Sequence, residues 1–428
     1  MNSGSKLLAL GCAIAVTGCA QGGFGNAPGA LGQGGSSMLP ASGRAGAAAG
    51  RAHRNSGSSG PEIYVFGGTP DAYKPLTGLA NVGNTLYGTT YQGGATNEGA
   101  LYSVTTSGSE SVMHSFPTGS NDGYYPQGPL TAANGTLYGT TYYGGANGEG
   151  VLFSITPSNS YQVLYNFGQT SSDCASPDTA LEYVPSKKAL YGVAYHGGTN
   201  GEGCIFKYSL GKNPGESVVY SLTGAPSSST GASAPVFYKN ALYVTTPGGG
   251  TKNHGAILKV TLAGSERLIY SFKNDPDGQS PEAPLVVMGN ALYGTTQAGG
   301  QGACEGYAGC GTVFKVTPSG KETVIYRFKD NASIIDGQGP QAALIAVAGT
   351  LYGTTPSCTG NGCGAGTVFA MTPSGSETIL FHFTVPPSNP SGFPQNPYSP
   401  VLSLNGTLYG TTDVSDRIGY GTVYAVAQ

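Results

Sequence analysis

Tryptophan is missing from this chain, and charge is scarce: only 10% of its 428 residues are Asp, Glu, Lys or Arg. The 19 Lys+Arg and 22 Asp+Glu nearly cancel to a formal −3, so there is no basic footprint of the kind that holds nucleic acid, and no such partner is expected. Helical periodicity is missing as well. After residue 60 no stretch of ten or more residues repeats apolar positions at i, i+3, i+4 and i+7, which excludes a helical domain. No G-x-S-x-G elbow, phosphate loop, H-E-x-x-H helix or nucleotide fingerprint occurs. A D-x-D-x-D calcium loop is also absent, and the five histidines (His53, His114, His196, His254, His382) fall at unrelated positions. No cofactor, metal site or catalytic residue is therefore assigned.

What is abundant is Gly, at 72 residues, and Tyr, at 28, with Val, Thr and Phe filling the apolar runs. That composition belongs to a turn-rich all-β protein. One string organises the rest. "LYGTT" begins at 86, 137, 292, 351 and 408, with the variants "LYGVA" at 190 and "LYVTT" at 242. A period near fifty residues is the mark of a repeat architecture. Each unit holds four strand-like runs separated by Gly, Pro, Asn and Asp-Gly turn signals. In the fifth these are "APLVVMG" (283–289), "ALYGTT" (291–296), "GTVFKVTPSG" (311–320) and "ETVIYRF" (322–328).

Seven units of four antiparallel strands predict a seven-bladed β-propeller over 61–428. A β-solenoid usually closes its coils in fewer residues. The blade reading also explains the string: with neighbouring blades on both faces, Leu and Tyr are buried on opposite sides while Gly admits the next sheet. The seventh unit ends in "TVYAVAQ" without a fourth strand, and "PEIYVF" (61–66) has no unit of its own. Ile63–Phe66 is therefore expected to be the outer strand of the last blade, joining the ring's ends and leaving no open edge. The closed body is expected to be monomeric.

Eight cysteines divide into Cys12 and Cys19 near the start and six within the repeats. Cys304 and Cys310, like Cys358 and Cys363, flank short glycine-rich loops at spacings that suit disulfide-closed hairpins better than a four-cysteine metal site. Cys174, in the loop entering unit three, and Cys204, in that unit's second-to-third loop, should emerge on one face and pair. Disulfides imply an oxidising compartment.

The opening "MNSGSKLLALGCAIAVTGCAQ" has one Lys, an apolar run from Leu7 to Val16 too short to span a bilayer, and Val16-Thr17-Gly18-Cys19. It resembles a bacterial lipoprotein signal. The resemblance implies removal of 1–18 and a lipid on Cys19, hence a membrane contact through that anchor alone; Ala20 in place of aspartate implies the outer membrane where there is one. The alternative is an ordinary secretory signal. Residues 19–60, rich in Gly, Ala and Ser, read as a flexible tether with a span on the order of 35 Å.

"NTLYGTTYQGGATNEGALYSVT" and "GTLYGTTYYGGANGEGVLFSIT" resemble the bacterial GloVer tandem repeat of choice-of-anchor proteins. The resemblance covers about 61–428 and implies an exported or surface-anchored propeller-like body. It brings no catalytic residues. Units three and four depart from the pattern, with Val193-Ala194 for the two threonines and Val244 for the glycine.

The second-to-third loops begin "YQGG" (91–94), "YYGG" (142–145) and "YHGG" (195–198). Tyr91, Tyr142, Tyr143 and Tyr195, with His196, are therefore expected to cluster on three adjacent blades as a ligand mouth, where tyrosines stack on sugar faces; the bland alternative is that they only cover neighbouring loops. Asp122, Asp277 and Asp336 each precede Gly and read as turns rather than calcium ligands. Glu98, Glu149 and Glu202 recur in "NEG" or "GEG", again as turns would. Three functions remain, in this order: a surface-anchored, non-catalytic binding or scaffold propeller for a glycan or envelope protein, a carbohydrate-active enzyme using the mouth, and a structural or adhesion protein of the envelope.

Overall fold

Seven antiparallel blades of four strands, the third carrying a fifth, follow one another around a ring. The computed structural model describes residues 61–428 apart from 118, 120, 225–230, 303, 305–308, 331–334, 360–364, 385–395 and 414–419. The signal, Cys19 and the tether thus lie outside the described residues, as does Cys363. Blade one is built from Ala80–Val82, Thr85–Thr90, Ala100–Thr105 and Glu110–Ser115, paired in that order. The short first strands of successive blades touch one another, which puts them at the axis. The LYGTT string is the second strand outward. Among the described residues there is no α-helix, only a 3-10 turn at Pro185–Lys187.

Blade seven closes the ring as expected. Leu402–Leu404, Thr407–Thr412 and Thr422–Ala427 are completed by Glu62–Val65, which pairs antiparallel with the third strand. This outer strand is placed one residue earlier than the sequence suggested, with a bulge between Glu62 and Tyr64, and the Phe66 amide still donates to the Gly421 carbonyl at 3.1 Å.

LYGTT is architecture, but its glycine has a different reason from the expected one. Gly294 faces Phe314 on the third strand of its own blade, and a Cβ there would stand 2.6 Å from the ring. The same fit holds for Gly139 under Phe153 and Gly353 under Phe369. The glycine therefore admits an aromatic ring of its own sheet rather than the neighbouring sheet. Blade four confirms the rule by exception: Val244 pairs with Leu258, the one blade whose third strand has no aromatic at that place.

In most blades the two threonines have separate tasks, the exceptions being Thr140 and Thr90, whose buried hydroxyls have no partner. The first reaches across to the next blade: Thr245 donates to the Ala283 carbonyl at 2.8 Å, Thr354 to Ser399 at 3.0 Å, and Thr411 to Thr77 at 3.1 Å across the seam. The second ties down its own loop, as Thr296 does to the Ala298 carbonyl at 3.0 Å. Blade three lacks both, though the amide at the first position is held there as it is in blades four and seven, by Ser233 and Ser399. Thr179 accepts the Val193 amide at 3.2 Å, and the strand runs on as Ala189–Gly197, with a Cys174–Cys204 disulfide beside it.

Candidate functional site

The loops on one face are drawn together by small two-stranded ladders. Ala72–Tyr73 pairs with Gln92–Gly93 and Gly123–Tyr124 with Tyr143–Gly144, so each incoming loop sits beside the second-to-third loop of its own blade. In blade three Cys174–Pro177 extends the main sheet instead. The residue after the second threonine is thereby delivered to this face. It is Tyr91, Tyr142 and Tyr195 in blades one to three, but Pro247, Gln297, Pro356 and Asp413 in the others.

These tyrosines meet, through two more that the sequence reading passed over. Tyr91 stacks on Tyr125 at 4.7 Å between centroids, and Tyr125 stands edge-on to Tyr124 at 5.4 Å. Tyr124 stacks on Tyr143 at 5.6 Å, and Tyr143 is edge-on to Tyr142 at 4.6 Å. Tyr142 continues to Tyr195 at 6.4 Å, and Tyr195 to His196 at 4.7 Å. The result is an unbroken aromatic row over three blades, with Tyr143 left 42% exposed and His196 exposed. Beyond His196 it runs into an open groove of about 410 Å³, lined by Glu149, Asp173, Ala175 and His196 among others.

Carboxylates flank the row. Burial and a hydrogen bond from its hydroxyl to Glu98 push the Tyr125 phenol up to about 12. Tyr142 is also lifted to about 12, by burial, then Tyr143 and then the charges of Asp178, Tyr195 and Glu149. Asp178 is itself pushed up to about 7 by burial: the residue keeps some exposure, yet its Oδ1 is shut off from water and has no hydrogen-bond partner. His254, in blade four's second-to-third loop, gives its carbonyl to the Ser280 amide at 3.0 Å, in blade five's incoming loop.

The repeated acids elsewhere are structural, and more than turns. Asp277 accepts the Tyr270 hydroxyl at 2.8 Å, the Lys273 amide at 3.1 Å and the Gly278 amide at 2.8 Å. Asp336 holds Tyr326 in the same way, and Asp122 accepts from Tyr161 at 2.6 Å and contacts His114 Nε2 at 2.8 Å. Asp71 and Asp173, neither followed by Gly, repeat the arrangement with Tyr64 and Tyr165. Several of these phenols also meet a Glu from the next blade: Tyr326 reaches Glu377 at 2.8 Å and Tyr64 reaches Glu110 at 3.3 Å. These acids are engaged by amides and phenols, and no group of three or more metal-ligating side chains occurs among the described residues.

Two of the three expected cysteine pairs are seen, and the expected partner of Cys358, Cys363, lies outside the described residues. Cys174–Cys204 and Cys304–Cys310 are disulfides, and Cys358 is disulfide-bonded as well. A disulfide-bearing chain has been through an oxidising compartment.

Fold and face together define a closed seven-bladed propeller of tandem repeats with an aromatic row across three of its blades. The chain belongs to the Gloeobacter/Verrucomicrobia repeat family, whose model matches residues 53–187 and 182–424. No curated protein matches it. Among solved structures it is similar to the BP39L lectin from Burkholderia pseudomallei, at 12% identity and a TM-score of 0.50, covering 83% of this chain and 96% of that one. It is also similar to the computationally designed Ika8 protein, at 12% identity and a TM-score of 0.44, over 85% of this chain and 99% of that one. Puromycin hydrolase matches at 12% identity and a TM-score of 0.49, over 82% of this chain, which spans about half, 51%, of that protein. At such identities the likeness is one of fold.

Proposed function

We propose that this protein is a non-catalytic binding propeller of the cell envelope, anchored through a lipid on Cys19, held off the membrane by the 19–60 tether, and binding a glycan along blades one to three. The observation that carries the reading is the aromatic row from Tyr91 to His196. Phenol rings offer flat apolar faces for sugar rings and hydroxyls for their polar edges. A propeller of the same general fold is a lectin, which is in keeping with the reading and adds no residue to it.

The test is a glycan array probed with the full-length protein beside a variant carrying Tyr91, Tyr142, Tyr143 and Tyr195 as Ala, the melting temperature of each being checked first. Binding that the variant loses is the expected result. A glycan that both proteins bind equally well would move the site away from these rings. The enzymatic alternative rests on one observation, the buried carboxyl of Asp178, with its pKa near 7, beside the Tyr142 phenol. Glycoside hydrolysis needs a second carboxyl facing the first. Release of shorter sugars from a bound oligosaccharide, abolished by Asp178→Asn, would favour that alternative.

A further inference from the structure

The chemistry around the aromatic row narrows the class of ligand. Its flanking charges are carboxylates: Glu98 bonds Tyr125 and acts on Tyr91, while Asp178 and Glu149 act on Tyr142 and Glu149 also lines the groove beyond His196. Asp178 supplies a buried carboxylate oxygen with no partner in the protein. Among the described loop residues of blades one to three on this face the one lysine is Lys74, in the loop leading into blade one, and it acts on Asp413 instead. A buried carboxyl oxygen without a partner is unfavourable until a donor reaches it. Phenol faces attract cations for a related reason, since the ring's negative face lies toward the charge. A neutral sugar would use the rings and leave the carboxylates underused; a sugar bearing ammonium groups engages both.

Resting on the glycan reading above, we propose that the mouth of blades one to three recognises an amino-bearing, cationic glycan, its sugar rings laid along the tyrosines and an ammonium group held between Asp178 and the Tyr142 ring. The linear order of the row and its continuation into the groove suit an oligomer rather than a single sugar.

The experiment is calorimetric titration of the full-length protein with three probes of equal length: a β-1,4-linked glucosamine hexamer, its fully N-acetylated form, and a neutral glucose hexamer. The expected result is that the glucosamine hexamer binds about tenfold or more tightly than the other two, with an advantage that shrinks as salt is added. Asp178→Asn and Glu149→Gln, both close in shape to the native residues, should each reduce the advantage without shifting the melting temperature. Equal affinity for the free and N-acetylated hexamers would overturn the inference about charge and leave the glycan reading standing. Binding of the glucosamine hexamer that survives both Asp178→Asn and Tyr142→Ala would overturn it too, because the cation would then sit elsewhere. If none of the three hexamers binds, and the array is also blank, the glycan reading falls and the inference with it.

Discussion

Thr90 and Tyr91 are neighbours in the chain, yet they obey different rules. Up to Thr90 the string is nearly identical in every blade and is buried except at the half-buried Tyr138 and Tyr352; at Tyr91 and its equivalents it becomes Tyr, Tyr, Tyr, Pro, Gln, Pro and Asp. The strand is repeated because each blade poses the same packing problem: a ring to be seated over a glycine and a hydroxyl to bridge to the next sheet. One residue further the side chain leaves the sheet, the common constraint ends, and the blades are free to differ. In a repeat protein of this kind the clue to function is where the repetition stops.

The comparison can be broken most severely at the seam. Deleting residues 61–66 removes the fourth strand of blade seven together with Tyr64 and Phe66, both buried. Truncating one buried Phe alone costs about 3–5 kcal/mol. The deletion should exceed that and lower the melting temperature on the order of 10 °C. A melting curve that does not move would sink the closed ring.

A sharper version concerns blade four. Leu258→Phe should overpack against Val244 at a cost of about 1–3 kcal/mol, and Val244→Gly should leave a gap under Leu258. Made together they convert blade four to the arrangement of the other six, so most of the two losses should be regained, a coupling of about 1–3 kcal/mol. Denaturant unfolding of the four proteins measures it, and strictly additive losses would show that glycine and ring are not partners.

The smallest expected effect is on pH dependence. Burial, and next to it a neighbouring Asp, lifts Glu110 from 4.5 to about 8 and Glu216, Glu322 and Glu377 to about 7. A carboxyl whose pKa is higher folded than unfolded holds its proton more tightly in the native state. Its contribution is whole below pH 4.5 and is lost as the pH rises through 7 to 8. The melting temperature should therefore fall by a few degrees between about pH 5 and pH 9. Changing the four Glu to Gln should flatten that slope, and an unaltered slope would assign it to other groups.

Much of this was legible in the sequence, and what was missed has physical reasons. Period, strand count and closure could be read because each reflects a need that recurs in every unit. The purpose of the glycine could not, since Gly294 and Phe314 lie in separate motifs and meet only once the strand register is known. Asp71 and Asp173 escaped notice because no Gly follows them; the better signal is an Asp five to eight residues after the outer-strand Phe, which both share with Asp122, Asp277 and Asp336. Tyr124 and Tyr125 were passed over because they arrive on the incoming loop rather than after the threonines. The face itself was readable from topology alone, since a loop that follows a second strand must emerge on the same side in every blade.

The closing strand also imposes an order in time. Residues 62–65 are made before any blade, and their partners Thr422–Tyr424 only after the other six blades. Six blades can form as their own strands arrive, but the seventh is complete only once its third strand, Thr422–Ala427, has been made, with Tyr64 and Phe66 uncovered meanwhile. In that interval the unfinished ring presents two unpaired edges, and the first strand of one copy fits the last blade of another as well as its own. Domain exchange between newly made chains is therefore the hazard built into this way of closing a circle.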